Sequence, residues 1–176
     1  MIYIETPRLT LRDWDTHDLP SFIKMNQDSD VMRFFPKLLS PAETTAFYER
    51  ILHSFRENGY GLYAVEEKAS GEFIGFIGFN HASFEAPFTP CIEIGWRLRK
   101  EAWGKGYATE GAKACLAYGF NQLPLEEIVS FTAKINKPSI QVMKKLGLTY
   151  VQTFEHPTVA LSSPLREHVL YQTKRS

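Results

Sequence analysis

Hydrophobic residues recur along the chain in two patterns, an alternation with period two and the three-to-four spacing of a helix face. Runs that alternate, or that are apolar and bounded by turn residues, predict about seven strands. The predicted strands are 8–14, 62–66, 73–79, 91–98, 128–133, 150–154 and 168–173. The helical spacing predicts helices at 19–25, 41–58, 104–120 and 137–146.

The order of these elements indicates the fold class. Several strands come first, and two strand–helix–strand crossovers follow, which is typical of a mixed α/β sheet flanked by helices. The chain has 176 residues, shows no internal repeat and contains no Ser/Gly linker. We therefore expect one α/β domain over residues 1–176, because single domains commonly run to ~100–200 residues.

The charge balance excludes two classes of protein. Lys plus Arg and Asp plus Glu each number 20, so the formal charge is zero. That balance argues against a nucleic-acid binder and against a polybasic membrane-surface protein, both of which need clustered positive charge. A small anionic ligand is still allowed, because local charge can differ from the sum.

Cysteine spacing and the N-terminal residues indicate the cellular location. Cys91 and Cys115 are too far apart for a Cys-x-x-Cys motif, so they are expected to be small core residues. Residues 1–7 show no signal-peptide pattern, and no uncharged run reaches the ~20 residues of a membrane span. The prediction is a cytoplasmic protein, monomeric or homodimeric, with neither nucleic acid nor membrane as a partner.

The most informative segment is WGKGYATE at 103–110, between a predicted strand and a predicted helix. Gly104 and Gly106 allow a tight turn, and the amides at the following helix start suit a phosphate. Thr109 stands where the dinucleotide fingerprint needs a third glycine, and the Walker pattern is missing. By itself the segment favours an ordinary strand-to-helix turn.

A second helix start follows the next predicted strand. Asn136 can cap a helix that opens with Ser139 on its first turn. Since both helix starts follow strands of one crossover series, we expect them at the same edge of the sheet. For Asn136, capping alone and a ligand role remain equally open at this point.

With these residues the sequence resembles the GNAT superfamily of acyl-CoA-dependent N-acetyltransferases, and more closely its ribosomal-protein N-terminal acetyltransferase branch. The resembling segments are TPRLTLR at 6–12, EIGWRL at 93–98, WGKGYATE at 103–110, NKPS at 136–139, KLG at 145–147 and HVLY at 168–171. Each motif is weak, but together they span nearly the whole chain in the order of the family.

The resemblance implies a twisted sheet that splays open between its fourth and fifth strands, with acetyl-CoA in the opening and no metal. It implies that the main chain of Arg97 and Leu98 contacts the pantetheine arm and that residues 104–109 hold the pyrophosphate. The implied cofactor-binding residues are Arg97, Leu98, Arg99, Gly104, Lys105, Gly106, Tyr107, Ala108, Thr109, Asn136 and Ser139.

Two positions depart from the family pattern. Glu101 stands at the first position of the signature, where Gln or Arg is usual. Met143 occupies the position of a tyrosine that serves many members as general acid, and a thioether cannot donate a proton. Ser139 is then the nearest candidate to assist the leaving thiolate.

Glu93 is the candidate general base, because an attacking amine must lose its proton and a carboxylate can take it. Alternation along the strand puts Glu93 on one face with Gly95 and Arg97. A structural ion pair with a neighbouring cation is the equal alternative. His81 and His156 are weaker alternatives for the base.

The basic residues nearby suit a phosphorylated ligand. Between residues 97 and 105, the four cations Arg97, Arg99, Lys100 and Lys105 outnumber the single acid Glu101.

We therefore predict an acetyl-CoA-dependent N-acetyltransferase that acts on a primary amine, with a protein N-terminal α-amine as one acceptor. The alternatives are a small amine (amino acid, antibiotic or polyamine) and a non-catalytic acyl-CoA-binding sensor.

Overall fold

A computed structural model describes all 176 residues, which form one eight-stranded sheet between helices on both faces. The strands are β1 (Ile2–Glu5), β2 (Leu9–Arg12), β3 (Leu62–Glu67), β4 (Glu72–Ala82), β5 (Cys91–Leu98), β6 (Glu127–Ala133), β7 (Thr149–Glu155) and β8 (Glu167–Lys174). The helices are α1 (Leu19–Asn26), α2 (Pro41–Asn58), α3 (Tyr107–Gln122) and α4 (Lys137–Lys145).

The helix starts follow the capping signals. Ser40 accepts a hydrogen bond from the Glu43 amide, and the Glu43 side chain accepts one from the Ser40 amide, so α2 begins with a capping box. Gly59 ends the same helix in the left-handed region, at φ 77°. All four predicted helices are present, although α3 begins at Tyr107, three residues later than expected.

The sheet has one strand more than the prediction of about seven. The additional strand is β1, which pairs antiparallel with β2 at the edge of the sheet. Its alternation is hard to detect because only Ile4 of its four residues is buried. The strand predicted at 8–14 shortens to β2, since Trp14 leaves the ladder and packs its ring against Phe22 and Phe73.

The two faces of the sheet bury separate hydrophobic cores. The face under α3 and α4 holds the larger core, which includes Ile94, Leu98 and Tyr107. The opposite face, under α1 and α2, holds a smaller, aromatic-rich core that includes Phe22 and Phe76. Side chains on alternate residues of β5 therefore point toward different helix layers.

The sheet opens between β5 and β6, the fourth and fifth of the predicted strands. These two strands run parallel, yet only Glu93 and Val129 pair, while β4 and β5 pair along all eight residues of β5. The strand order beyond the opening is β6-β8-β7, so β8 lies antiparallel between β6 and β7. The predicted splay and the mixed α/β class are confirmed.

The structure contains no helix with the length and apolar character that a membrane crossing requires. Cys115 is buried in the larger core and Cys91 is partly buried near the opening of the sheet, and both are free thiols. No three or more His, Cys, Asp or Glu side chains are arranged so that they could hold a metal ion.

Candidate active site

The open edge of β5 is defined by the strand register. Arg99 donates its amide to the Ile74 carbonyl, so the odd-numbered residues of β5 exchange main-chain hydrogen bonds with β4. The amides and carbonyls of Trp96 and Leu98 consequently point toward the gap. The indole of Trp103 donates to the Leu98 carbonyl at 2.8 Å. The main-chain groups of Trp96 and the Leu98 amide are then left for a ligand.

This register changes the expected role of Arg97. Its carbonyl faces β4, where a Cβ added at Gly75 would lie 2.1 Å from it. Only a glycine lets the two strands approach so closely, and its φ of 144° is one that other residues rarely adopt. The Arg97 main chain therefore cannot line the gap, and Trp96 replaces it as the partner of Leu98 there.

The phosphate-type turn has the geometry that the sequence indicated. Gly104 and Gly106 have φ of 75° and 81°, and α3 begins after Gly106 without a side-chain cap. The amides of Tyr107, Ala108 and Thr109 belong to the first turn of α3, whose amides have no partners within the helix. A Cβ at Gly104 would meet nothing within 4 Å. The turn is an open cradle of amide groups, which fits an anion.

Glu110 holds this cradle against the N-terminal segment. Its carboxylate accepts hydrogen bonds from the Thr6 hydroxyl (2.6 Å), the Arg8 amide (3.0 Å) and Arg8 Nε (2.8 Å). Arg8 Nη2 in turn donates to the Lys105 carbonyl at 2.8 Å. Glu110 is thus a positioning residue, and it acts on the turn through Arg8.

Replacing Glu110 by Ala is expected to lower the free energy of unfolding by about 1–3 kcal/mol, because Thr6 and Arg8 lose their acceptor. The loosened turn should also raise the Kd for CoA several-fold, which isothermal calorimetry would measure. Glu110→Gln keeps an oxygen acceptor for Thr6 and should show a smaller effect on both quantities. Equal effects of the two variants would contradict the network.

The basic stretch between residues 97 and 105 does not converge on the cradle. Arg99 pairs with Glu72, Lys100 with Asp30 and Lys105 with Glu67. The side chains of Arg99 and Lys105 also lie outside the cavity described below. Acids of other elements thus pair with Arg99 and Lys105 in the structure, and their contribution of charge to the cofactor stays a prediction.

The second helix start lies across the gap. Asn136 accepts the Ser139 amide at 3.3 Å and donates to the Thr132 hydroxyl at 2.9 Å, so it caps α4. One amide hydrogen of Asn136 remains for a ligand. The Ser139 hydroxyl has no partner within the chain and faces the cavity, as does Met143, which is only 1% exposed.

The Glu93 side chain lies on the face of β5 opposite α3, and Glu93 forms the only pairing between β5 and β6, with Val129. Burial raises the pKa of its carboxyl to about 8, although Asn80 on β4 and the charge of Arg97 oppose the shift. No Lys, Arg or His lies within ion-pair distance of Glu93. The alternative of a structural ion pair is therefore wrong, and the carboxylate is free to act on a ligand.

One cavity of about 710 Å³ joins these groups. Both helix starts, Glu93, Ser139 and Met143 line it, and its size lies in the range of small-molecule sites. Residues of the segment 30–36 line the cavity on the α1–α2 side, and His156 and Leu165 line it beyond β6. The opening of the sheet therefore provides a single continuous space for two ligands.

The histidines were the least informative residues in the sequence. His81 is exposed and stacks on Tyr60 outside the cavity. His156 and His168 line the cavity, but burial lowers the pKa of both, that of His168 to about 4. Phe84 packs on His156 at 4.3 Å between ring centroids and covers this end of the site. Sequence reasoning missed His168 as a cavity residue.

Comparison with known proteins agrees with this fold. Residues 8–149 match the model of the family described as "Acetyltransferase (GNAT) domain". The protein called "Uncharacterized protein YkkB" from Bacillus subtilis is 34% identical to this chain, over 84% of this chain and 86% of its own length. The chain belongs to the GNAT acetyltransferase family and is an acyltransferase.

Other similarities indicate how widely acceptors differ within the family. Spermidine N(1)-acetyltransferase from Escherichia coli K12 is 28% identical, over 79% of this chain and 72% of its own. A GNAT-family acetyltransferase structure from Bacillus anthracis aligns with a TM-score of 0.80 at 26% identity, over 99% and 98% of the two chains. An acetyltransferase structure from Salmonella typhimurium, which modifies the N-terminal serine of ribosomal protein L7/L12, shares the fold at 16% identity, a TM-score of 0.80 and full coverage of both chains.

Proposed function

We propose that this chain transfers the acetyl group of acetyl-CoA directly to a primary amine and that Glu93 accepts the proton of that amine. The observation that carries the proposal is an unpaired, partly buried carboxylate on the open edge of a splayed sheet. The same cavity ends in an uncapped helix start. An amine that accepts the acyl group and a phosphate-bearing acyl donor would thus meet in one cavity.

The amine must be neutral to attack, because an ammonium has no lone pair. A base is most effective when its pKa lies near the working pH, and burial brings the pKa of Glu93 to about 8. Arg97 lies four residues along the same face and lowers the pKa of Glu93 through its charge, but it forms no ion pair with the carboxylate. The proton taken from the amine therefore stays on a group that can hold it at neutral pH.

The acyl donor would lie along the open edge of β5 and reach the start of α3. The free amides of Trp96 and Leu98 suit a strand-like contact with the pantetheine arm, and the amides of Tyr107, Ala108 and Thr109 suit the pyrophosphate. A main-chain amide at the open edge can also stabilise the charge that develops on the thioester oxygen. Acetyl-CoA supplies the activated acyl group, and the chain supplies orientation and the base.

The leaving group needs less help than the amine. Thiols have pKa values near 8.5, so a thiolate leaves readily without a strong acid. The Ser139 hydroxyl has no partner within the chain and is available to donate a hydrogen bond. Met143, in the place of the family tyrosine, is therefore compatible with an active enzyme.

The acceptor is either a protein N-terminal α-amine or a small amine. The cavity lining argues against a polyamine, because Asp30 and Glu93 are its only acids and Asp30 is already paired with Lys100. A polycation would also meet Arg33, Arg97 and Lys145 along the walls. We therefore favour an amine without additional positive charge.

The test is to incubate the protein with acetyl-CoA and a panel of N-terminal peptides, amino acids and polyamines. Thiol release and the mass of the acetylated product would be followed, with the Gly106→Asp variant as the matched control. Acetylation of an amine that depends on intact Gly106 is the expected result. Calorimetric binding of acetyl-CoA without turnover on any amine would overturn the enzymatic assignment in favour of a sensor.

A further inference from the structure

Arg97 is the one arginine that is withdrawn from solvent without an acidic partner. Five arginines form ion pairs with carboxylates, namely Arg8, Arg12, Arg99, Arg166 and Arg175. Arg33, Arg50 and Arg56 have no acidic partner but are exposed. Arg97 is partly buried in the cavity wall, and its Nε atom is fully buried without a hydrogen-bond partner.

Aromatic rings surround the guanidinium group. Its central carbon lies 4.4 Å from the ring centroid of Phe35, 5.2 Å from that of Phe76 and 5.8 Å from that of Phe47. Aromatic faces attract a cation without neutralising its charge. The walls therefore orient the group without compensating its positive charge, which only the carboxylate of Glu93 opposes, from beyond ion-pair distance.

A buried polar chain fixes the guanidinium in place. Asn26 and Thr44 are both fully buried, and Asn26 Nδ2 donates to the Thr44 hydroxyl at 3.2 Å. This bond turns Asn26 Oδ1 toward Arg97, whose Nη1 donates to it at 2.8 Å. The group is thus positioned by neutral partners before any ligand arrives.

Burying a charge without a counter-charge is costly, and such groups are normally paired. Burial lowers the pKa of Arg97 only to about 10, so the guanidinium stays positive at neutral pH. Nε is buried and Nη1 donates to Asn26, so Nη2 and the second hydrogen of Nη1 are the donors left for a carboxylate. Their planar arrangement matches a carboxylate better than a single point charge would. The site has the properties of a receptor for a small oxyanion.

The anion in question is not the pyrophosphate of acetyl-CoA. Arg97 packs with Phe47 and Phe76 on the α1–α2 face of the sheet. The amide cradle at the start of α3 belongs to the opposite face, with Leu98 and Tyr107. Arg97 instead shares its face with Glu93, so it lies on the acceptor side.

We propose that Arg97 binds a carboxylate of the acceptor, so that the substrate is a primary amine that also carries a carboxylate. The proposal rests on the proposed function, because it assumes that the amine is presented to Glu93. Glu93 and Arg97 are four positions apart on β5, which puts their Cα atoms ~13 Å apart, and their side chains form no ion pair. The amine and the carboxylate of the substrate are therefore expected to be separated by several bonds.

Two kinds of molecule have this chemistry. One is a small amino acid whose amine and carboxylate are separated by a chain. The other is a peptide whose first residue is acidic, so that its α-amine and side-chain carboxylate are likewise separated. Both offer the same pair of groups to Glu93 and Arg97, and the assay below separates them.

The experiment compares carboxylates with their own carboxamides as acceptors. Small ω-amino acids are measured beside their amides, and C-terminally amidated peptides that begin with Asp or Glu are measured beside those that begin with Asn or Gln. We expect kcat/KM to favour the carboxylate member by about 10- to 100-fold in the better of the two sets, as for a hydrogen bond to a charged group.

Variants of Arg97 then assign the preference. Arg97→Gln keeps a donor for Asn26 and removes the charge. The ratio of kcat/KM for the carboxylate to kcat/KM for the carboxamide should fall to about one, mainly because KM for the carboxylate rises. Arg97→Lys keeps the charge without the planar donors and should retain part of the preference. Arg56→Gln removes an exposed arginine outside the cavity and should change nothing.

The outcomes separate this inference from the proposed function. Acetylation of amides as efficiently as of carboxylates by the unmodified protein, or an unchanged preference in folded Arg97→Gln, would overturn the carboxylate site alone. Should the Gln variant not fold, a preference in Arg97→Lys equal to that of the unmodified protein would do the same. A failure to acetylate any amine would overturn the proposed function itself.

Discussion

Replacing Glu93 by Gln is expected to lower kcat by about 100-fold or more, since a positioned general base contributes roughly 10²–10⁴ to the rate. Gln has nearly the same shape and cannot take the proton of the amine. CoA affinity should be unchanged, because Glu93 lies on the face of β5 opposite the amide cradle. Steady-state kinetics with the best acceptor, together with calorimetry for CoA, would measure both effects.

The pH dependence should identify Glu93 as the group responsible. Only the carboxylate form accepts a proton, so kcat/KM should rise about tenfold per pH unit below 8 and level off above about pH 8. Titration of the acceptor amine gives a second rising limb. Two acceptors with different amine pKa values separate these limbs, since only the limb of the amine moves. A limb near pH 8 that persists in Glu93→Gln would exclude Glu93 as the base.

The same substitution should stabilise the protein at alkaline pH. The pKa of Glu93 is raised in the folded state, so the folded chain holds this proton more tightly than the unfolded chain. The associated stability is present below about pH 4 and is lost as pH rises to about 8. Glu93→Gln avoids this loss, and its Tm should exceed that of the unmodified protein at pH 9 but equal it near pH 4. A lower Tm at pH 9 would contradict the burial of a free carboxylate.

Replacing Gly106 by Asp is expected to raise the Kd for CoA by about 100-fold, because a carboxylate would fill the amide cradle and repel the phosphates. Gly59 provides a matched control. It has a similar backbone conformation, φ 77° against 81°, and open space around it, but it ends α2 far along the chain from the cavity. Gly59→Asp carries the same backbone strain and the same charge.

Both glycine variants should lose similar stability, about 1 kcal/mol, since each puts an L-residue in the left-handed region. Only Gly106→Asp should lose CoA affinity. Calorimetric titration with CoA and thermal unfolding of both variants would compare them. Unchanged affinity in Gly106→Asp, or an equal loss in Gly59→Asp, would refute the location assigned to the pyrophosphate.

Much of the fold is predictable from local sequence because local interactions specify it. Ser40 and Gly59 bracket α2 with caps whose partners lie within a few residues. The end of β4 was less visible, since pairing with β5 carries it on to Ala82, past the hydrophobic run that ends at Phe79. β1 gave too little signal, because only one of its four residues is buried.

The site likewise has features that local sequence specifies and features that depend on distant residues. The turn geometry of residues 103–109 is local, so a short motif indicates where the amide cradle lies, although Thr6 and Arg8 from the N-terminal segment hold it in place. The state of the basic stretch depends on Glu72, Asp30 and Glu67, which come from other elements, and no spacing in the sequence reveals those pairings. Likewise Arg97 contacts Asn26, which is 71 residues away, so its isolation from acids is visible only in three dimensions.

The central claim is that acetyl-CoA occupies the gap between β5 and β6 and delivers its acyl group beside Glu93. A crystal structure of the protein with CoA would test it most directly. The account predicts pyrophosphate on the amides of Tyr107, Ala108 and Thr109, the pantetheine arm along Trp96 and Leu98, and the sulfur within the cavity that Glu93 lines. CoA bound elsewhere, or a gap closed by pairing of β5 with β6, would contradict it.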